Sequence, residues 1–237
     1  MRKSVKVSMI AVFAALHAVL YFISFGLWRN WAIYLESIEG IILGPEIGFF
    51  AALLGSGIAR MSKPGDPFWM FGIIAEPTSV LIAGFLSRAR WKPALAVYAV
   101  MLLAYFVHPF GSLLPLWTIL DVLVGLLLIY PAARISRNLF TKDTKALSIA
   151  LAIISFVCIA TDSLVRIFLL IPCGLYTLFP GFFGTLEALQ AVFVGAAIDS
   201  FIEDILVVIV SIVVGVPLII AISKLNIVEK KSTKHHP

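Results

Sequence analysis

"LESIEGIILGPEIGFFAALLGSGIAR", residues 35–60, decides how this chain is wound. It places Glu36, Glu39, Glu46 and a Gly44-Pro45 step inside an apolar run that extends from about 30 to 61. A single helix over that run would be about 48 Å long at 1.5 Å per residue. That is too long for a hydrocarbon core of about 30 Å without strong tilt. Two helices folded on each other would hold roughly 14–16 residues each, short but able to pack within a bundle. Local chemistry favours the pair. Pro45 suits the first position of a helix, where its missing N–H has no partner to lose. A residue before proline avoids helical angles, and a glycine there turns freely.

The charges outside this stretch supply a second, independent count. Basic residues gather in four clusters: Arg2, Lys3 and Lys6; Arg88, Arg90 and Lys92; Arg134, Arg137, Lys142 and Lys145; and Lys224, Lys230, Lys231 and Lys234. The positive-inside rule places all four in the cytoplasm, so an even number of crossings must separate each from the next. Spans near 93–109 and 114–133 separate the second and third clusters. Spans near 146–171 and 196–223, joined by the long loop "PCGLYTLFPGFFGTLEALQ", separate the third and fourth. Between the first and second lie spans 5–26 and 68–87, and parity requires residues 30–61 to cross twice.

Composition agrees with a chain built for lipid. It is 61% hydrophobic and 13% charged, where a soluble domain carries about 25% charged residues. The expected fold is therefore an all-α polytopic membrane protein: one domain over 1–237, about eight transmembrane helices, both termini cytoplasmic, and a solvated tail at 225–237. The N-terminal stretch reads as a first span, because its apolar run is too long for a signal peptide and no small-x-small cleavage site follows. The net charge of +5 lies at span ends, which points to lipid and not to nucleic acid. Cys158 and Cys173 read as small apolar fillers. His17 and His108 have no second ligand at metal-binding spacing, so a core or interface role is expected and no metal or cofactor.

On the first span, Ala11, Ala14, Ala15 and Ala18 recur at helical spacing and leave a stripe with little side-chain volume. Such small-xxx-small faces let helices approach closely in lipid. The stripe suits either another helix of this chain or a separate membrane subunit.

Taken in order, a basic N-terminus, an Ala-rich helix with AxxxA, an outer loop with aromatics and acids, a short helix ending in "LGP" and the helix "EIGFFAALLGSG" resemble the substrate-binding S components of energy-coupling factor (ECF) vitamin importers. The resemblance is clearest over residues 5–92 and resumes at "FLLIPCGLY" and "DSFIEDILVVIVSIVVGVPLIIAISK". S components usually have six helices. The resemblance thus implies a first block at 1–92, an inserted pair within 93–145 (spans near 93–134) and the last two helices at 146–224. It also implies a non-enzymatic, multi-pass protein of a prokaryotic plasma membrane that captures a vitamin-like small molecule and topples in the membrane to release it. The implied partners are a transmembrane coupling subunit, contacted through Ala11 and Ala15, and two cytoplasmic ATPases. The absence of a GxxxxGK[ST] loop is in keeping with ATP hydrolysis by partners.

Charged residues inside spans are costly and are candidates for function. Glu36 and Glu39 share a face of the short helix, and Glu76-Pro77 interrupts the fourth span. Asp162 and Arg166 sit four residues apart, either as a neutralising pair or as substrate contacts. Glu203 and Asp204 enter the last span from outside. In the outer loop, Trp28, Trp31 and Tyr34 suit an interfacial belt or a lid over a flat ring. Glu46, at the start of the third helix, suits the positive end of the helix dipole. Arg60 is expected to snorkel at the outer surface. The acidic excess of the outer half suits a substrate with a cationic or hydrogen-bond-donating ring. The competing functions are a proton- or cation-coupled secondary transporter, an integral membrane enzyme and a scaffold subunit.

Overall fold

The structure, a computed structural model, describes residues 3–23, 30–62, 69–141 and 143–224. It is 88% helical, with no strand among the described residues. The helices are α1 (Lys3–Tyr21), α2 (Ile33–Leu43), α3 (Pro45–Met61), α4 (Trp69–Leu86), α5 (Trp91–Val107), α6 (Leu120–Ile135), α7 (Thr144–Leu170), the single turn α8 (Pro180–Phe183), α9 (Leu186–Val210) and α10 (Val216–Lys224). A π-helical turn, Ser211–Gly215, joins the last two. Among the described residues, four segments are long and apolar enough to cross a membrane: Ser4–Tyr21, Leu116–Phe140, Thr144–Leu170 and Leu186–Lys224.

The Gly44-Pro45 step is a turn. Gly44 has φ 87°, a left-handed value that favours glycine, and Pro45 opens α3. Four residues later the chain has come back on itself, with Gly48 lying against Gly40 and the Glu39 carbonyl. So α2 and α3 form an antiparallel hairpin. Its arms are unequal, 11 and 17 residues, and at about 16 Å the first is much shorter than a bilayer core is thick. Beside the four long segments stand two shorter apolar helices, Met70–Leu86 and Trp91–Val107. All eleven residues of α2 are buried, because α3, α4 and α7 wall it in.

Helix α7 is the axis of the bundle and packs on α2, α4, α5, α6 and α9. The main apolar core forms around it from Ile82, Leu86, Tyr98, Ile129, Leu151 and Ile154, among others. Outward faces carry large apolar side chains such as Phe50, Val107, Leu127, Ile205 and Val213, the arrangement a surrounding hydrocarbon phase would favour. The last long helix starts at Leu186, ten residues before the position expected from hydropathy. Thr185 caps it by accepting from the Ala188 N–H at 3.2 Å.

The two ends of the bundle differ. At one end the hairpin turn meets Arg88, whose guanidinium lies against Gly44. Trp91 at the start of α5 meets Tyr130 near the end of α6 at 5.7 Å. Gly215, just before α10, meets Leu151 of α7, and Met9 and Ile10 of α1 and Leu218 and Ile222 of α10 pack against the same cluster, which includes Ile42 and Leu43 at the end of α2. These contacts draw the basic corners at Lys6, Arg88, Arg134, Lys145 and Lys224 to one end. The opposite end holds the C-terminus of α1, the start of α2, the end of α3 and the start of α4. Aromatics cover part of it, with Phe71 against Phe179 and Phe110 against Tyr176 at 6.3 and 5.2 Å.

Candidate functional site

Near that second end, five helices contribute charged side chains to one buried network. His17 of α1 is its hub. It is fully buried, with Nδ1 3.0 Å from Glu39 Oε2 of α2 and Nε2 3.1 Å from Glu76 Oε2 of α4. The other Glu76 oxygen, Oε1, accepts from the Arg60 guanidinium of α3. It also accepts from Asn30 Nδ2 at 3.3 Å, and Arg166 Nη2 of α7 lies 3.6 Å away. Arg166 in turn grips Asp162 through two bonds, Nε to Oδ2 at 2.7 Å and Nη2 to Oδ1 at 3.2 Å. Ser79, one turn after Glu76, bonds to Glu36.

Local sequence explains how these groups reach one another. The interruption expected at Glu76-Pro77 does not occur: helix α4 runs unbroken through Pro77, and Glu76 sits where the ring of Pro77 crowds the preceding turn. Arg60 can lie flat across α4 because residue 72 is glycine. A Cβ there would fall on the guanidinium itself. The same guanidinium bonds to Ser56 Oγ at 3.1 Å and stacks 4.8 Å above the Tyr21 ring, a cation–π contact within the usual reach of about 6 Å. Tyr21 and His17 are one turn apart on α1, so that helix contributes both an ionic and an aromatic contact.

The structure therefore brings together Glu36, Glu39, Glu76, Asp162 and Arg166. Glu203 and Asp204 are buried on α9, one turn beyond Ser200. Ser200 connects α9 to its neighbours by bonds to Asp121 at 3.1 Å and Ser163 at 3.3 Å. Tyr34 is buried with Ile33, Ile159 and Val207. Trp31 is half-buried, its ring 5.3 Å from Tyr34 and edge-on to it. Trp28 lies outside the described residues. Glu46 is exposed in the first turn of α3.

Arg60 corrects the sequence reading. It does not snorkel; it is 4% exposed and bonded inward to Glu76. The alanine stripe divides. Ala14 faces inward, 6% exposed, with its backbone against Gly55 of α3, and Ala18 is half-buried, whereas Ala11 and Ala15 are exposed. Among the described residues, no three His, Cys, Asp or Glu side chains are placed to hold a metal ion. Chemically, the network can fix protons and cationic groups, since its carboxylates accept from every side.

No described protein family matches the chain, and no solved structure matches it. It is similar to an uncharacterised protein of Methanocaldococcus jannaschii, MJ0923, with 32% identity over 131 residues. That alignment covers 55% of this chain and 44% of the relative, so the chain spans less than half of that protein's length.

Proposed function

We propose that this protein is the substrate-binding subunit of an ECF-type importer, embedded in a prokaryotic plasma membrane with eight crossings and both termini cytoplasmic. It takes a vitamin-like small molecule, cationic or rich in hydrogen-bond donors, at the end of the bundle remote from the basic corners. The observation that carries this reading is the two-sidedness of α1. One face holds His17 in the charge network; the other exposes Ala11 and Ala15. Ser4, Ser8, Ala11 and Ala15 fall in one line on the helix. Ser4 and Ser8 also border a shallow groove of about 290 Å³ that Val5, Met9, Val12 and Phe13 complete. Such a line of small residues admits a second membrane helix at close range, and a coupling subunit is the partner proposed. The inserted pair is α5 and α6, which widens the core around α7 without contributing to the charge network.

Gentle purification followed by native mass spectrometry tests both halves of the proposal. A retained small molecule and a co-purifying membrane subunit with ATPases are expected. Replacing Ala11 and Ala15 with leucine should release the subunit and leave the small molecule bound. Uptake by the isolated chain in liposomes, driven by a proton or cation gradient, would overturn it in favour of a secondary transporter. The burial of His17 between two carboxylates is the observation that favours that second reading.

A further inference from the structure

We infer that Glu36 is a proton-binding site, held as a neutral carboxylic acid inside the bundle. The inference goes beyond the transport reading and does not depend on it. Hydrogen counting at Ser79 leads to it. A serine hydroxyl has one hydrogen to donate. Ser79 Oγ lies 2.7 Å from the backbone oxygen of Glu76, which can only accept, and also bonds to Glu36 Oε2. An ionised carboxylate could only accept as well. Both bonds are made when Ser79 donates to the Glu76 carbonyl and Glu36 donates its own O–H to Ser79.

Charge counting over the bonded network agrees. His17 meets a carboxylate oxygen at each ring nitrogen, and only the imidazolium form donates to both. With Arg60 and Arg166 it supplies three positive charges, which Glu39, Glu76 and Asp162 match. A charge on Glu36 would be a fourth negative one with no exposure to water, a costly state in an interior that disfavours unpaired ions. Its second oxygen, Oε1, is buried and has no hydrogen-bond partner among the described residues, which a neutral acid's carbonyl tolerates better than a carboxylate.

The titratable and charged groups around it come from every neighbouring element: His17 from α1, Glu39 from its own helix, Arg60 from α3 and Glu76 from α4. Cys158, Asp162 and Arg166 come from α7, and α9 carries the buried Glu203 and Asp204. The cations of this set already face Glu39, Glu76 and Asp162, so an ionised Glu36 would add a charge that they do not match.

Isotope-edited infrared spectroscopy of the full chain in detergent tests the assignment. At neutral pH a C=O band of a protonated glutamate side chain is expected, moving on exchange into heavy water. Glu36→Gln should abolish it, and Ser79→Ala should shift it to higher frequency by removing the acceptor of its hydrogen bond. Glu36→Gln should also keep the wild-type melting temperature, because the amide keeps the shape, the neutrality and the donor of the acid. A missing wild-type band, a band that survives Glu36→Gln, an unshifted band in Ser79→Ala, or a melting-temperature loss in Glu36→Gln as large as that of Glu76→Gln would each overturn the assignment. None of these readouts involves a partner subunit or a transported molecule, so their failure is distinct from failure of the importer reading.

Discussion

Replacing Glu76 with glutamine removes the group on which the network converges. Its carboxylate accepts from Arg60, from Asn30 at 3.3 Å and from His17 at 3.1 Å, with Arg166 at 3.6 Å. Arg60 and His17 are both buried, so loss of the negative charge leaves them with no water to turn to. Removing one partner of a buried ion pair costs about 3–5 kcal/mol. For a chain of this length that corresponds to a melting-temperature loss of roughly 6–20 °C. Glu39→Gln is the control. Among the described residues Glu39 makes one side-chain bond, to His17, and its other oxygen has no partner, so its loss should cost about 1–3 kcal/mol. Unfolding of both variants in the same detergent, followed by intrinsic fluorescence, compares them directly. The pair Arg60→Leu with Glu76→Leu should lose less than the sum of the two single changes, by at least about 1 kcal/mol. If Glu76→Gln unfolds within about 1 kcal/mol of wild type, or no more easily than Glu39→Gln, the network is not organised around Glu76 and the reasoning fails.

Three further changes probe the frame that holds the site. Gly44→Ala forces a Cβ onto a backbone at φ 87° and against the Arg88 guanidinium; thermal unfolding should show a loss of about 1–2 kcal/mol. Ala89, in the turn three residues beyond α4, has φ 58°, with Arg90 N–H bonding back to the Phe85 carbonyl and Ala89 N–H to that of Leu86, both at 2.9 Å. Glycine suits that position in such a helix end, and Ala89→Gly should stabilise by about 0.5–1 kcal/mol after its own entropy cost, read from the same melt. Ala14→Leu should overpack the contact with α3 and cost about 1–3 kcal/mol. Ala15→Leu, on the exposed face one residue further on, should change stability by less than about 0.5 kcal/mol.

Much of this arrangement was legible before the structure, and the reason differs from residue to residue. The hairpin was readable because Gly-Pro chemistry is local and charge parity is a count along the chain. Glu36, Glu39, Glu76, Asp162 and Arg166 were readable because a charge in an apolar helix stands out whatever lies opposite. His17 was read as a bland core or interface residue because its meaning depends on partners 22 and 59 positions away. The available signal was its place on the same face as Ala14 and Tyr21, on a helix whose other faces carry Val12, Leu16 and Val19. Arg60 was misread because a basic residue at a helix end ordinarily reaches for water. What turns it inward is a seat on another helix, where Gly72 leaves room and Glu76 supplies the charge. Helix α2 came out shorter than expected because burial on all sides removes any need to match the bilayer's thickness.

A buried ionic network seldom repays its desolvation, and apolar residues of similar volume would often hold the helices together as well. Stability alone therefore does not account for seven ionisable side chains gathered at one end of a chain that is otherwise so apolar. Their positions suggest what they offer instead. His17 ties α1 to α2 through Glu39 and to α4 through Glu76, beside the stacking of Tyr21 on Arg60, apolar packing and the close approach of α1 to α3 at Gly55. Any ligand or proton that competes for Glu39 or Glu76 would loosen the ionic hold on α1 and leave the apolar one. Ala11 and Ala15 ride on the same helix, so any change in how the charge network holds α1 would reach its exposed face through the helix itself. An apolar core in the same place would pack equally well and could transmit nothing of the kind.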